Sequence, residues 1–203
     1  EFPMDEICTS RMETTVAEAF RESIRLKEEL LGKETGTILR MAEVLSLAFR
    51  RGRRLFLFGN GGSAADAQHI AAEFVNRFQK ERPALPAMAL TVDTSVLTSI
   101  SNDLHFEKVF VRQLQAFARA GDVALGISTS GTSPNVLEAL EWAEDRDLCT
   151  LGLAGVAPCP MDRHCRHVLH VPSTVAARIQ ECHITVGHIL CELVEDELYG
   201  GRP

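Results

Sequence analysis

The chain has 203 residues, of which 45% are hydrophobic and 24% charged, and its formal net charge is −7. That balance fits one ordinary globular core and excludes a long disordered tail, and no apolar run reaches the ~20 residues needed to cross a bilayer. Net negative charge also argues against nucleic acid as the main partner, because binding a phosphate backbone needs a concentrated basic surface.

Glu1-Phe2-Pro3 ahead of Met4 reads as an expression remnant, and no charged-then-apolar leader follows. Residues 4–203 are therefore expected to form one domain in the cytoplasm, with a helical segment over 4–52 and an α/β core over 53–203. From about Met12 to Arg51 two helices are predicted, the second carried by the spacing of Ile38, Met41, Leu45, Ala48 and Phe49. They precede any strand and are expected to cover the sheet or a partner subunit. Arg50, Arg51, Arg53 and Arg54 surround Gly52 where the second helix stops, a place where cations complement the helix dipole.

The period then changes. Leu55-Phe56-Leu57-Phe58 is a wholly apolar run, the form of a strand buried on both faces, and it leads into Gly59-Asn60-Gly61-Gly62-Ser63. A helix follows over 63–78 with Ser63 as its N-cap. Strands are predicted over 86–90, 123–127, 149–153 and 168–171. Helices are predicted over 106–118, from Pro134 to about 146, and over 174–198 ahead of Gly200-Gly201. Such alternation implies a three-layer α/β/α sandwich around a five-stranded parallel sheet, with ligands at the carboxyl ends of the strands. The six cysteines, Cys8, Cys149, Cys159, Cys165, Cys182 and Cys191, show no repeated CxxC spacing and read as reduced thiols. The stretch from Cys159 to His167 is dense in soft ligands, but its spacing matches no zinc pattern, and it reads as a loop with buried thiols.

Three groups of residues carry chemistry. Gly59 to Ser63 joins a strand to a helix, so its amides suit an anion or form a plain tight turn; it is neither a dinucleotide fingerprint nor a P-loop. Ser128, Thr129, Ser130 and Ser133 set four hydroxyls beside Gly131 at a strand end and before a helix, which suits a phosphate monoester better than a capping turn. His69 and Glu73, four apart on one helix face, are candidates for metal binding or proton transfer, or form a surface pair. Gln180 and His188 share a side of the last helix at ~12 Å along its axis, so they converge on something between them or serve different sites. With Ile184, Cys191 and Val194 nearby, His188 alone fits a core position as well.

Taken together, "LFLFGNGGSAADAQHIAAEF", "NRFQKERPALPAMAL", "SND", "GDVALGISTSGTSPNV" and "ARIQECHITVGHILCELVE" resemble the phosphoheptose isomerases of the sugar-isomerase (SIS) superfamily, over about residues 12–198. The resemblance implies isomerisation of sedoheptulose 7-phosphate to D-glycero-D-manno-heptose 7-phosphate through an enediol, the first step of ADP/GDP-heptose biosynthesis. It places the phosphate on Ser128, Thr129, Ser130 and Ser133, and the sugar against Asn60, Gly61, Gly62, Asn102, Asp103 and Gln180. Its catalytic carboxylate and imidazole fall on Glu73 and His188, and its zinc set on His69, Glu73, Gln180 and His188. It further implies a homotetramer with active sites at subunit contacts. Two departures bear on substrate detail: Ala177 stands where the family has Asp, and the stretch from Cys159 to His167 replaces a glycine-rich loop. The rival resemblance is to the non-catalytic DnaA-initiator-associating proteins, which share the fold and several stretches but typically lack the residues matching Glu73 and His188. A sugar-phosphate sensor domain is a further rival, without an attached DNA-binding segment to support it.

Overall fold

The computed structural model describes residues 6–200, so residues 1–3, read above as an expression remnant, and Gly201 lie outside the described residues. The elements are α1 (Glu6–Lys33), α2 (Thr35–Arg50), β1 (Leu55–Gly59), α3 (Gly62–Val75), β2 (Ala87–Ala89), α4 (Thr94–Asp103), α5 (Val111–Phe117), β3 (Val123–Ser128), α6 (Pro134–Glu144), β4 (Cys149–Ala154), β5 (His167–His170) and α7 (Ala176–Tyr199). Short 3₁₀ turns occupy Phe106–Lys108 and Pro160–Arg163.

All five strands pair in parallel in the order β2-β1-β3-β4-β5. Every residue of β1 is buried, and its side chains divide by parity. Leu55 and Leu57 join a cluster with α1, α2, α3 and α7, whereas Phe56 and Phe58 join one with α5 and α6. The sheet is thus the middle of three layers, and the apolar run of β1 is the mark of that position. α1 and α2 cover the sheet face through Leu26, Leu30, Met41 and Leu45. The end of α2 is a Schellman turn. Gly52 takes φ +66, Arg53 N–H reaches Ala48 O at 2.9 Å and Gly52 N–H reaches Phe49 O at 3.0 Å.

Three local expectations are corrected. α3 starts at Gly62, so Ser63 lies inside its first turn, and Gly61 at φ +56 makes the entry instead of a hydroxyl cap. The helix expected over 106–118 is interrupted: a 3₁₀ turn comes first and α5 begins only at Val111. α4 is an element the sequence reading missed: it buries no residue fully, and its apolar spacing is confined to Val96, Leu97 and Ile100; Asp93 caps it by accepting the Val96 N–H at 3.0 Å.

α3 and α7 lie side by side and run the same way, since Gly62 meets Gln180 and Ile70 meets Gly187. The approach requires glycine at 187, where a Cβ would stand 2.5 Å from Ile70 Cδ1. In the strand order the chain leaves β1 to one side and returns to β3 on the other, so the switch point, the usual ligand crevice of such sheets, is at the β1/β3 ends.

Candidate active site

Two loops meet at that switch point. Gly59 pairs with Ile127 across the strands, and a Cβ on Gly59 would stand 2.6 Å from the Ile127 carbonyl oxygen, so only glycine lets the strand ends come this close. Beyond them Asn60 and Asn135 exchange two amide hydrogen bonds of 2.9 Å each, and Asn135 is buried in the first turn of α6. This reciprocal pair ties the first loop to the second. Asn135→Ala is expected to strand the Asn60 amide, lower stability by about 1–3 kcal/mol, and raise KM more than it lowers kcat. Denaturant midpoints and steady-state kinetics on the same preparation check both effects.

The second loop gathers hydroxyls. Ser128 Oγ lies 2.9 Å from Ser133 Oγ and 3.4 Å from Ser130 Oγ, and Ser130 Oγ accepts from the Thr132 N–H at 3.2 Å. Gly131 takes φ +65, which brings the chain round to Ser133 and Pro134. Ser133 sits at the N-cap of α6 without capping it, so its hydroxyl stays with the other two serines beside the start of the helix, where Pro134 has no N–H and the Val136 N–H already donates to Ser133 O at 3.0 Å. Three hydroxyls and a helix N-terminus form a cradle whose chemistry suits an anion such as phosphate. Gln180 reaches this end of the site, because a Cβ on Gly62 would stand 2.5 Å from its Nε2.

The acid–base candidates lie farther along α3. His69 Nε2 is 3.2 Å from Glu73 Oε1, and His188 Nε2 is 3.4 Å from His69 Nε2. The two imidazoles meet edge to face at 4.9 Å, and Phe78 stacks on His188 at 5.5 Å. His188 is therefore a half-buried member of this cluster and not a core residue. Two imidazole nitrogens and a carboxylate oxygen, all within 4.8 Å of one another, fit a divalent ion such as zinc. Gln180 sits nearer the start of α3: Gly62, beside it, lies seven residues before His69, roughly 10 Å of backbone by helical rise. Asn102 and Asp103 are exposed at the end of α4 and hydrogen-bond each other at 2.8 Å. Among the described residues no hydrogen bond links them to the cradle or to Glu73.

Two features of the site escape sequence reasoning. Asp66, three residues before His69, has its carboxyl pushed up by burial, with His69 pulling it down, and its Oδ2 is buried without a hydrogen-bond partner. The other is a buried ion pair. Arg82 Nε donates to Glu195 Oε1 at 2.8 Å, while its other nitrogens donate to Glu73 O at 2.7 Å and Phe74 O at 2.8 Å. Glu195 also accepts the N–H groups of Phe78 and Gln79 at 2.8 Å and of Lys80 at 3.0 Å. The pair thus ends α3 just past Glu73 and sets Phe78 over His188. Asp66 carries a faint signal in its spacing from His69, but the ion pair, 113 residues apart in the chain, carries none.

A family model described as the SIS domain matches residues 19–155. The chain is 50% identical over 184 residues to the phosphoheptose isomerase of Roseiflexus sp., covering 91% of this chain and 93% of that one. It is 49% identical to phosphoheptose isomerase 2 of Campylobacter jejuni, over 89% and 91% of the two chains. The solved structure of phosphoheptose isomerase GmhA from Neisseria gonorrhoeae superposes with a TM-score of 0.86 at 40% identity, covering 91% of this chain and 99% of that chain. A sequence match that spans both chains nearly end to end, together with that shared fold, places this chain in the phosphoheptose isomerase family of SIS-domain proteins.

Proposed function

We propose that the protein isomerises sedoheptulose 7-phosphate to D-glycero-D-manno-heptose 7-phosphate. The observation that carries this reading is the meeting of the Glu73 carboxylate with the His69 and His188 imidazoles. Aldose–ketose isomerisation moves a proton from one carbon beside a carbonyl to its neighbour, so it needs a base, a proton carrier at the oxygens and support for an enediol. The cradle of Ser128, Ser130 and Ser133 holds the phosphate, with Thr129 between them, and fixes the distance to the carbonyl end. Asn60, Gly61, Gly62 and Gln180 line the sugar. Glu73 takes the carbon-bound proton and returns it to the adjacent carbon, while His188 exchanges protons at the two oxygens, so no proton is gained or lost overall. His69, Glu73 and His188 would hold a zinc ion, which when bound supplies polarisation of the carbonyl.

Within one subunit the two ends of the site lie far apart along α3: eleven residues separate Gly62 from Glu73, roughly 16 Å of backbone. A homotetramer resolves this if the cradle and Gln180 of one subunit face the Glu73 and His188 of another. The exposed Val16, Phe20, Ile24 and Leu31 on α1 support such assembly, as does the apolar groove between α1, α2 and α7 lined by Leu30, Ile38, Leu39 and Ile189. None of the helices among the described residues is long and apolar enough to cross a membrane. A sugar-phosphate substrate, made and used inside cells, supports a cytoplasmic place for the enzyme.

The test is incubation of purified protein with sedoheptulose 7-phosphate, following the aldose product with and without a chelator. Product formation supports the reading; no turnover with or without added zinc, together with capture of DnaA in a pull-down, would favour the DnaA-associating alternative.

A further inference from the structure

We infer that the protein carries a second divalent-metal site, formed by Cys159, Asp162 and His170 between β4 and β5, of the kind that takes zinc. The Cys159 Sγ, a carboxylate oxygen of Asp162 and an imidazole nitrogen of His170 all lie within 4.8 Å of one another. None of the three belongs to the His69 cluster.

Each donor is already oriented. His170 Nδ1 is 3.1 Å from the Gly155 carbonyl oxygen, which as an acceptor takes that ring proton, and Nε2 hydrogen-bonds Asp162 Oδ1 at 2.7 Å, where a metal ion would replace the shared proton. A histidine whose far nitrogen donates to a backbone carbonyl is the usual arrangement around a bound metal. Asp162 is fixed in turn, since its Oδ2 accepts the Cys159 N–H at 2.8 Å while Cys159 Sγ accepts the Asp162 N–H. One sulfur, one oxygen and one nitrogen with a fourth position open to solvent form a borderline-soft set that suits zinc over magnesium or calcium. The sequence hides the site because its histidine is His170, on β5, beyond the cysteine-rich stretch that ends at His167.

The site also has a place in the fold. A Cβ on Gly131 would overlap the Cys159 side chain, so the thiol sits directly behind the left-handed glycine of the phosphate cradle. An ion there straps the 156–166 loop to β5 and backs the cradle. Burial pushes the Cys159 thiol above its ordinary range, so the metal-free thiol is protonated at neutral pH and binding releases its proton to solvent.

Cobalt(II) separates this site from the His69 cluster, because only this site offers a thiolate. Chelator-stripped full-length protein titrated with Co²⁺ is expected to develop a near-ultraviolet thiolate-to-cobalt charge-transfer band that saturates at one equivalent of bound thiolate site and bleaches when zinc is added. The band should vanish in Cys159→Ser, weaken in apparent affinity by about 10–100-fold in His170→Ala, and persist in His188→Ala. Circular dichroism of each variant confirms that it is folded. Absence of a thiolate band in the unmodified protein overturns the inference, as does a band that survives Cys159→Ser, which would assign it to another cysteine.

Discussion

Glu73→Gln is expected to lower kcat on sedoheptulose 7-phosphate by about 10²–10⁴-fold with KM little changed, the range over which a positioned general base acts. Glutamine keeps the shape of the side chain and its hydrogen bond to His69, which the wild-type carboxylate makes at 3.2 Å, but it cannot take a proton from carbon. A loss confined to kcat identifies an interaction made in the transition state and not in substrate binding. If Glu73 acted mainly as a metal ligand, raising the zinc concentration would restore most of the activity; as the base, Glu73→Gln stays inactive at saturating zinc. The same variant tests whether the site is shared. Glu73→Gln and Gln180→Ala, each inactive alone, should regain activity when co-expressed, because a hybrid tetramer pairs an intact cradle and Gln180 from one subunit with an intact Glu73 from another. Hybrid tetramers with no more activity than either parent would confine the site to one subunit and remove the argument from the length of α3.

What was legible in the sequence follows from which forces act locally. The apolar run of β1 betrays burial on both faces, and the glycine at 52 betrays the left-handed turn that stops α2, because each feature is decided within a few residues. The spacing of His69 and Glu73 gave their common face for the same reason. Gln180 and His188 were legible as ~12 Å apart on one helix side, and the fold gives each a different neighbour, Gly62 for the first and His69 for the second. α4 was hard to read because its apolar spacing rests on Val96, Leu97 and Ile100 alone amid Thr, Ser and Asn and none of them is fully buried, so the Asp93 cap and the partial packing of Leu97 and Ile100 hold it. Ser63 looked like a cap by residue type, yet the backbone of Gly61 made the turn first. Asn135 and Arg82 were illegible for a deeper reason. Their partners, Asn60 and Glu195, are distant in the chain and meet only because β1 and β3 are neighbours and α7 lies along α3.

Glu195→Gln is expected to lower stability by about 3–5 kcal/mol, because it removes one charge of a buried pair and leaves the Arg82 guanidinium uncompensated. Both side chains are essentially inaccessible, at 0% for Arg82 and 1% for Glu195. Burial alone would raise the Glu195 carboxyl, but three backbone amides and Arg82 outweigh it and hold the group below its ordinary value of 4.5. A carboxylate held low contributes stability above its unfolded value and loses it as pH falls through the lowered folded value. The unfolding free energy of the wild type should therefore fall in acid below about pH 4.5, and that part of the fall should be missing in Glu195→Gln. His183 acts at higher pH: buried against Ala154 O and pushed down to about 4, it favours the unfolded chain as pH drops from 6.5 toward 4, so the two contributions separate along the pH axis. Replacing both partners with apolar residues often rescues a buried ion pair, but not here. Arg82→Met with Glu195→Leu would strand the Phe78, Gln79 and Lys80 amides and the Glu73 carbonyl together, while the Phe74 carbonyl keeps only the Leu85 N–H at 3.1 Å. The double variant should remain at least as unstable as Glu195→Gln in urea, and its kcat should fall as well, because the same bonds hold Glu73 and set Phe78 over His188. A double variant as stable as the wild type would mean that the backbone around residues 73–82 keeps its shape without the pair, and that Glu73 owes its position to α3 alone.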